Sequence, residues 1–292
     1  MDYPKLIKRA FFLTLKNRLL WVLGFLAGAL GFSLNLPIDP QRLTQSLQSL
    51  LQNPEVMTRG ASQYLGLLLL SFSLFLIVFS FLILSLASEG GLIFAVLQIQ
   101  KEKTVSLPEA LNQGLRVVWR ILGVRLLIGF WFIFLSFCPF LLRADGKLLG
   151  LIIILCGLAL VYSLIYLLPL SWYAFRLFIE KETTFWEGIK KAARLIDQFF
   201  KESILLLCLI VGVGTLSFLL SILFYSLGEA LFAGLGSALI LKFGSFLAFL
   251  LLLPFYLPLC FLTIVIFALN TAFNSTLITL FYLEIKILSL KN

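Results

Sequence analysis

The residues with the most chemical potential are charges and amides embedded in, or flanking, long apolar runs. They are Glu89, Arg116, Arg120, Arg125, Lys190, Lys191, Arg194, Asn270 and Asn274. A charge at membrane depth is costly unless it is paired or solvated, so such groups mark candidate binding positions. The planar fork of arginine matches phosphate oxygens two at a time. Arg116, Arg120 and Arg125, with Lys190, Lys191 and Arg194, therefore form a candidate set for holding anionic lipid headgroups. Glu89, Asn270 and Asn274 are candidate intramembrane polar groups. Orientation alone also places cations beside apolar spans, with long side chains reaching back to water. Both readings stand on the sequence.

Much other chemistry has no residues to carry it. There is no histidine, which removes the commonest general base and the commonest metal ligand together. Cys138, Cys156, Cys208 and Cys260 all lie inside apolar runs without a CxxC, and read as small buried hydrophobes. No nucleophile elbow, metalloprotease helix, P-loop or dinucleotide-binding glycine pattern occurs. The chain is expected to be no enzyme and to use no metal or cofactor.

What must position the candidate residues is a set of helices. Residues 176–203 form the longest polar interval, and residues 184–201 read as an amphipathic helix. Phe185, Ile189, Ala193, Ile196 and Phe200 share one face at spacings of three and four. Thr184-x-x-Glu187 reads as a capping box at its start. At an ungapped offset of 78 positions, Glu102-Lys103 lies over Glu180-Lys181, Ser106-x-x-Glu109 over Thr184-x-x-Glu187, Arg116 over Arg194 and Gly91 over Pro169. A weaker copy opens the chain, where Asp2-Tyr3-Pro4 resembles Ser106-Leu107-Pro108. Three pseudo-repeats follow, about 1–97, 98–175 and 176–292, each an amphipathic cytoplasmic helix and then a helical hairpin.

Composition names the solvent. Hydrophobic residues make up 61% of the chain and charged residues 13%, against about 45–50% and about 25% in soluble domains. The expected fold class is an all-α membrane protein, one polytopic domain over residues 1–292, with six transmembrane helices. The spans are placed at residues 19–36, 64–88, 126–142, 148–172, 204–227 and 243–270. Glu89-Gly90-Gly91 is expected to close the second, and Pro169, Pro254 and Pro258 to kink the fourth and sixth. Residues 37–62 form an outer loop, 143–147 an outer turn, 228–242 an outer connection and 271–292 an apolar tail. Eighteen of the 23 Lys and Arg residues then fall on one side. That bias predicts a multi-pass protein of the inner (plasma) membrane with both termini cytoplasmic. The net charge of +9 is spread beside apolar spans, so it points to anionic lipid and not to nucleic acid.

Two stretches carry a family resemblance. One is the Lys-rich opening running into Asn17-Arg18-Leu19-Leu20-Trp21-Val22-Leu23-Gly24. The other is Pro169, then Glu180-Lys181, then Trp186-Glu187-Gly188-x-x-x-Ala192-x-Arg194. Over most of its length the chain resembles a group of bacterial six-span membrane proteins that includes the membrane domain of some glycerophosphodiester phosphodiesterases. The resemblance implies a membrane domain without catalytic residues of its own. The phosphodiesterase catalytic domain, with its metal-binding acids and histidines, is not represented in this sequence, so the enzymatic activity is not carried over.

The expected function is a non-catalytic membrane protein that binds lipid or a protein partner at the cytoplasmic face, with anionic phospholipid as the favoured lipid and a homo-oligomer as one possible partner. The alternative is a transporter or lipid-translocating protein with a midplane cavity. A polar-lined cavity reaching Glu89 or the Asn270 region separates the two.

Overall fold

The computed structural model describes residues 2–33, 61–141, 146–181, 183–243 and 245–289. All regular structure among them is helical. In chain order the helices are α1 (Tyr3–Lys16), α2 (Arg18–Ser33), α3 (Ala61–Ile99), α4 (Leu107–Leu141), α5 (Gly146–Lys181), α6 (Phe185–Gln198), α7 (Phe200–Phe243) and α8 (Ser245–Ser289). The expected outer loop at 37–62 and turn at 143–147 fall mostly outside the described residues.

Among the described residues, five segments are long and apolar enough to cross a membrane: Ser71–Ile99, Leu107–Cys138, Gly150–Glu180, Phe200–Gly228 and Leu257–Ser289. The helices that contain them overshoot any bilayer. At about 1.5 Å per residue the 39 residues of α3 reach roughly 58 Å, against a hydrocarbon core of about 30 Å. The excess explains several departures from the sequence expectation. Glu89-Gly90-Gly91 does not close a span but lies inside α3, which continues to Ile99. Residues 107–125 are not a separate inner segment, because α4 runs unbroken from Leu107 to Leu141. Residues 228–242 are the end of α7, and α8 passes straight through Asn270 to Ser289. Pro169, Pro254 and Pro258 sit inside their helices.

Each long helix divides into two parts of different surroundings. The buried residues gather at one end, among them Leu86, Leu92 and Val96 of α3, Ala110, Val118 and Ile121 of α4, Tyr173 and Phe178 of α5, and Leu277, Phe281 and Ile285 of α8. At the other end large apolar side chains stand exposed, among them Phe75, Phe130 (72%), Leu158, Leu219 and Phe261. Exposed apolar surface on this scale is an aggregation hazard in water and is ordinary against acyl chains. The solvent for those halves is lipid.

The buried end is built around the short helices. Leu6 and Ala10 of α1 share one core with Ala192, Ile196 and Phe199, and with Tyr173, Phe178, Phe281 and Tyr282. Residues 1–18 and α6 therefore lie at the same end of the bundle. Asp2 caps α1 by accepting from the Lys5 N–H at 3.2 Å, and Pro4 occupies the first turn. At Asn17 the chain leaves the helical region (φ −106, ψ 99), and α2 departs from α1 at 95°. The Trp21 indole donates to the Thr14 carbonyl across that elbow at 2.7 Å.

α6 forms where periodicity placed a helix, with a rotated face. Gly188, Ala192 and Ile196 are its buried centre, and Phe185, Ile189 and Ala193 form a partly buried margin. Thr184 is the N-cap, but its side chain makes no capping bond. The Glu187 carboxylate accepts from Lys191 at 2.5 Å, and without a capping bond from Thr184 the predicted box is not realised.

Glycines set the helix crossings. Gly24 and Gly28 put α2 against α8: a Cβ on Gly24 would stand 2.5 Å from the Ala268 carbonyl oxygen, and one on Gly28 would stand 2.8 Å from the Phe267 ring. Gly90 and Gly91 of α3 meet α4 at Gly114 and Ala110, and a Cβ on Gly114 would lie 1.8 Å from the Ala87 carbonyl oxygen. Small residues of this kind let membrane helices approach closely. Because that obstruction is backbone, Gly114→Val cannot be relieved by a rotamer change. It should lower stability by about 1–3 kcal/mol or more, read as a depressed Tm of the detergent-purified protein. Gly129→Ala, which meets no atom within 4 Å, should leave Tm unchanged or slightly raised through helix propensity.

Candidate functional site

Close to the Gly90–Gly114 crossing, near the change from buried to lipid-facing residues, five helices leave a cavity of about 210 Å³. Its polar wall is Glu89 of α3, Arg125 of α4, Arg176 of α5, and Asn270, Thr271, Asn274 and Ser275 of α8. Ala27, Leu92, Trp172 and Ile278 complete it. The α8 contribution follows from helical spacing, since positions 270, 274 and 278 repeat every four residues along one face. Trp172 and Arg176 bear the same relation on α5.

Three features define its chemistry. The first is an ion pair in which the Arg125 guanidinium donates to the Glu89 carboxylate at 2.5 Å. Both side chains keep contact with the outside, at 48% and 25% exposure. The second is Arg176, which is buried at 2% exposure. Its Nε donates to Thr279 Oγ1 at 3.2 Å, one terminal nitrogen to the Trp172 carbonyl at 2.7 Å, and the other to the Ser275 carbonyl at 3.1 Å. These acceptors are neutral, so Arg176 is solvated by dipoles while its charge persists. The third is a pair of buried polar atoms, the Asn274 Oδ1 acceptor and the Ser275 hydroxyl, which have no protein partner among the described residues. Asn274 meanwhile donates through Nδ2 to Asn270 Oδ1 at 3.1 Å. With Glu89 and Arg125 neutralising each other, the lining carries one net positive charge, from Arg176.

The candidate residues thus distribute over three places. Glu89, Asn270 and Asn274, proposed from sequence as intramembrane polar groups, meet in the one cavity, joined by Arg125 from the cationic set. Arg116 and Arg120 line a separate space of about 150 Å³ with Gln113, Val117, Phe178 and Ile179. Lys190 and Arg194 are exposed on α6, and Lys191 is paired with Glu187. The six cations do not form a single site.

Arg176 and Ser275 were not singled out from sequence. Arg176 was counted among the cations of a polar interval, whereas it lies inside α5 with Tyr173-Ala174-Phe175 before it and Leu177-Phe178-Ile179 after it. A lone cation with apolar neighbours on both sides is the signal that marks it. One turn on, Glu180 accepts from the Tyr282 hydroxyl at 2.8 Å and pairs with Lys286, so α5 and α8 are tied at two successive levels.

The Glu89–Arg125 pair is partly exposed, so its coupling should be modest. Glu89→Gln and Arg125→Gln should each lower stability, and the double variant should show a coupling of about 1 kcal/mol in a thermal double-mutant cycle. Zero coupling would mean that the two groups are held independently. On α6, the hydrogen bond and charge of Lys191 hold the Glu187 carboxyl below its usual range. That contribution is complete above the ordinary carboxylate pKa and fades as pH falls through the depressed value. Amide protection factors across residues 185–198 should therefore fall on acidification in the wild type more than in Glu187→Gln.

Set against known proteins, the chain matches no family model, no curated protein and no solved structure, and what the cavity does must be read from its own residues.

Proposed function

We propose that this chain is a non-catalytic integral membrane protein that binds an anionic headgroup in the cavity formed by Glu89, Arg125, Arg176, Asn270, Asn274 and Ser275. The observation that carries the reading is Arg176. A guanidinium removed from water costs several kcal/mol, and its three hydrogen bonds go to neutral acceptors. Guanidinium has five N–H groups, so it retains donors for an incoming anion. The volume suits a headgroup and not a whole lipid, since about 210 Å³ corresponds to roughly seven waters at about 30 Å³ each. Acyl chains would remain outside, along the exposed apolar halves of the helices. Arg116 and Arg120, at their own smaller cavity, are a secondary place for the same chemistry.

The wider frame of the proposal is a six-span protein of the plasma membrane. In it α2 is the first span, α1 lies along the membrane surface, and both termini are cytoplasmic. Two features support this. The 95° elbow turns α1 across α2, and residues 1–18 share the end of the bundle with α6, where most Lys and Arg lie. A three-repeat ancestry agrees with Asp2, Ser106 and Thr184 each preceding a helix. A second reading, transport or lipid translocation, is favoured by the cavity's reaching both Glu89 and Asn270. It would show as flux in reconstituted vesicles that Arg176→Gln abolishes.

Native mass spectrometry of gently extracted protein tests the main proposal. Wild type should retain anionic phospholipid. Arg176→Gln should retain it at least tenfold less, in line with about 1.5–3 kcal/mol for a hydrogen bond to a charged group. Arg176→Lys, which keeps the charge and loses the fork, should fall between them. Equal retention by all three, with unchanged Tm, would place lipid binding elsewhere.

A further inference from the structure

Two thiols with no part in headgroup binding meet on the hairpin of α4 and α5. Cys138 and Cys156 are free and half-buried. Helical spacing accounts for the meeting. Ile121, Ile128 and Leu135 are buried on α4 at intervals of seven, and Cys138 follows Leu135 by three, on the same seam. Ser163, Leu170 and Leu177 are buried on α5 at the same interval, and Cys156 lies seven before Ser163. The Trp131 indole donates to Ser163 Oγ at 2.8 Å and fixes the register of the antiparallel pair. Seven residues on from Trp131 and seven back from Ser163 stand Cys138 and Cys156, and their thiols interact. The same register holds at the buried end, where Val117 and Phe178 line one space. Exposed Phe137, Leu155 and Leu158 place the thiols in the lipid-facing halves. No cluster of three or more His, Cys, Asp or Glu forms among the described residues, so the pair is not part of a larger ligand set there.

Independently of the headgroup reading, we propose that Cys138 and Cys156 form a dithiol–disulfide site whose electron acceptor is a quinone dissolved in the bilayer. A buried cysteine on its own serves as a small hydrophobe. Two opposed across a seam gain a reaction that neither has alone. The thiolate is the nucleophile, so one thiol gives up its proton and adds to the quinone. The second sulfur then attacks the first and displaces the ring, as in thiol–disulfide exchange. Two S–H bonds break and one S–S bond forms. The dithiol is oxidised, and its two electrons and two protons leave on the quinol. Location selects the acceptor: charged aqueous oxidants are kept out of hydrocarbon, whereas a quinone shares the acyl-chain phase.

The test uses the full-length protein in nanodiscs, reduced, freed of reductant and kept from oxygen. Duroquinone is the probe, because its ring carbons are all substituted and it leaves no stable adduct. Quinol is read by absorbance, and after alkylation of free thiols the protein is mapped by mass spectrometry. Wild type should gain a Cys138–Cys156 link and release one quinol per chain. Cys138→Ser and Cys156→Ser should each cut quinol release by about tenfold or more, while Cys208→Ser should match wild type. Glutathione disulfide in place of duroquinone should form the link about tenfold more slowly or worse, for want of access. Wild-type protein that keeps both thiols alkylatable in duroquinone overturns the proposal, and that result needs no variant to fold. A link formed with glutathione disulfide but not with duroquinone overturns it as well, because the acceptor is then aqueous. Links between chains, or through Cys208, overturn the pairing.

Discussion

A single guanidinium kept from water organises the buried end of this bundle. Arg176 cannot shed its charge and has no bulk solvent to share it with, so α8 must present oxygen atoms at fixed heights. Ser275 offers a carbonyl and Thr279 a hydroxyl, one turn apart, and α5 returns the carbonyl of Trp172. Sliding α8 along α5 by one residue would strand the charge. The Glu180 bonds to Tyr282 and Lys286 repeat the constraint one turn further from the lipid-facing halves. Register between these two helices is thus held by polar groups, while shape-matched glycines hold α2 on α8 and α3 on α4.

The division of the long helices gives these polar groups their setting. Their lipid-facing halves gain little from one another, because acyl chains are as apolar as leucine. The core gathers at the buried end, where α1, α6 and the ends of the long helices enclose Tyr173, Phe178, Phe281 and Tyr282. The Glu89–Arg125 pair and the Asn270–Asn274 pair sit near the change between these two environments. There a side chain can be desolvated on one flank and remain close to water or headgroups on the other.

Membrane character, helical class and the α6 helix were legible because they depend on composition and on periodicity, which are local. Glu89, Asn270 and Asn274 were legible as anomalies in apolar sequence, and the fold brings them to one cavity. Arg176 was hidden by its neighbourhood, since it sits close to Glu180 and Lys181 and opens the polar interval 176–203. The same error of scale misplaced the helix ends. Gly90-Gly91 looked like a terminus and proved to be a crossing point, because a glycine that ends a helix and one that admits a neighbouring helix are the same letter. No periodicity reports that α3, α4, α5 and α8 continue well beyond the hydrocarbon, as only tertiary burial tells an apolar residue in a core from one in lipid.

The elbow between α1 and α2 has a mechanical corollary. α1 turns across α2 at nearly a right angle, and the joint is stiffened by the Trp21 bond to the Thr14 carbonyl. From that joint α2 runs to Gly24 and Gly28, whose contacts on Ala268, Ala272, Phe267 and Thr271 bracket Asn270. A lateral load on α1, as from a change in leaflet tension, would therefore act through a short crank on the α8 turn that lines the cavity.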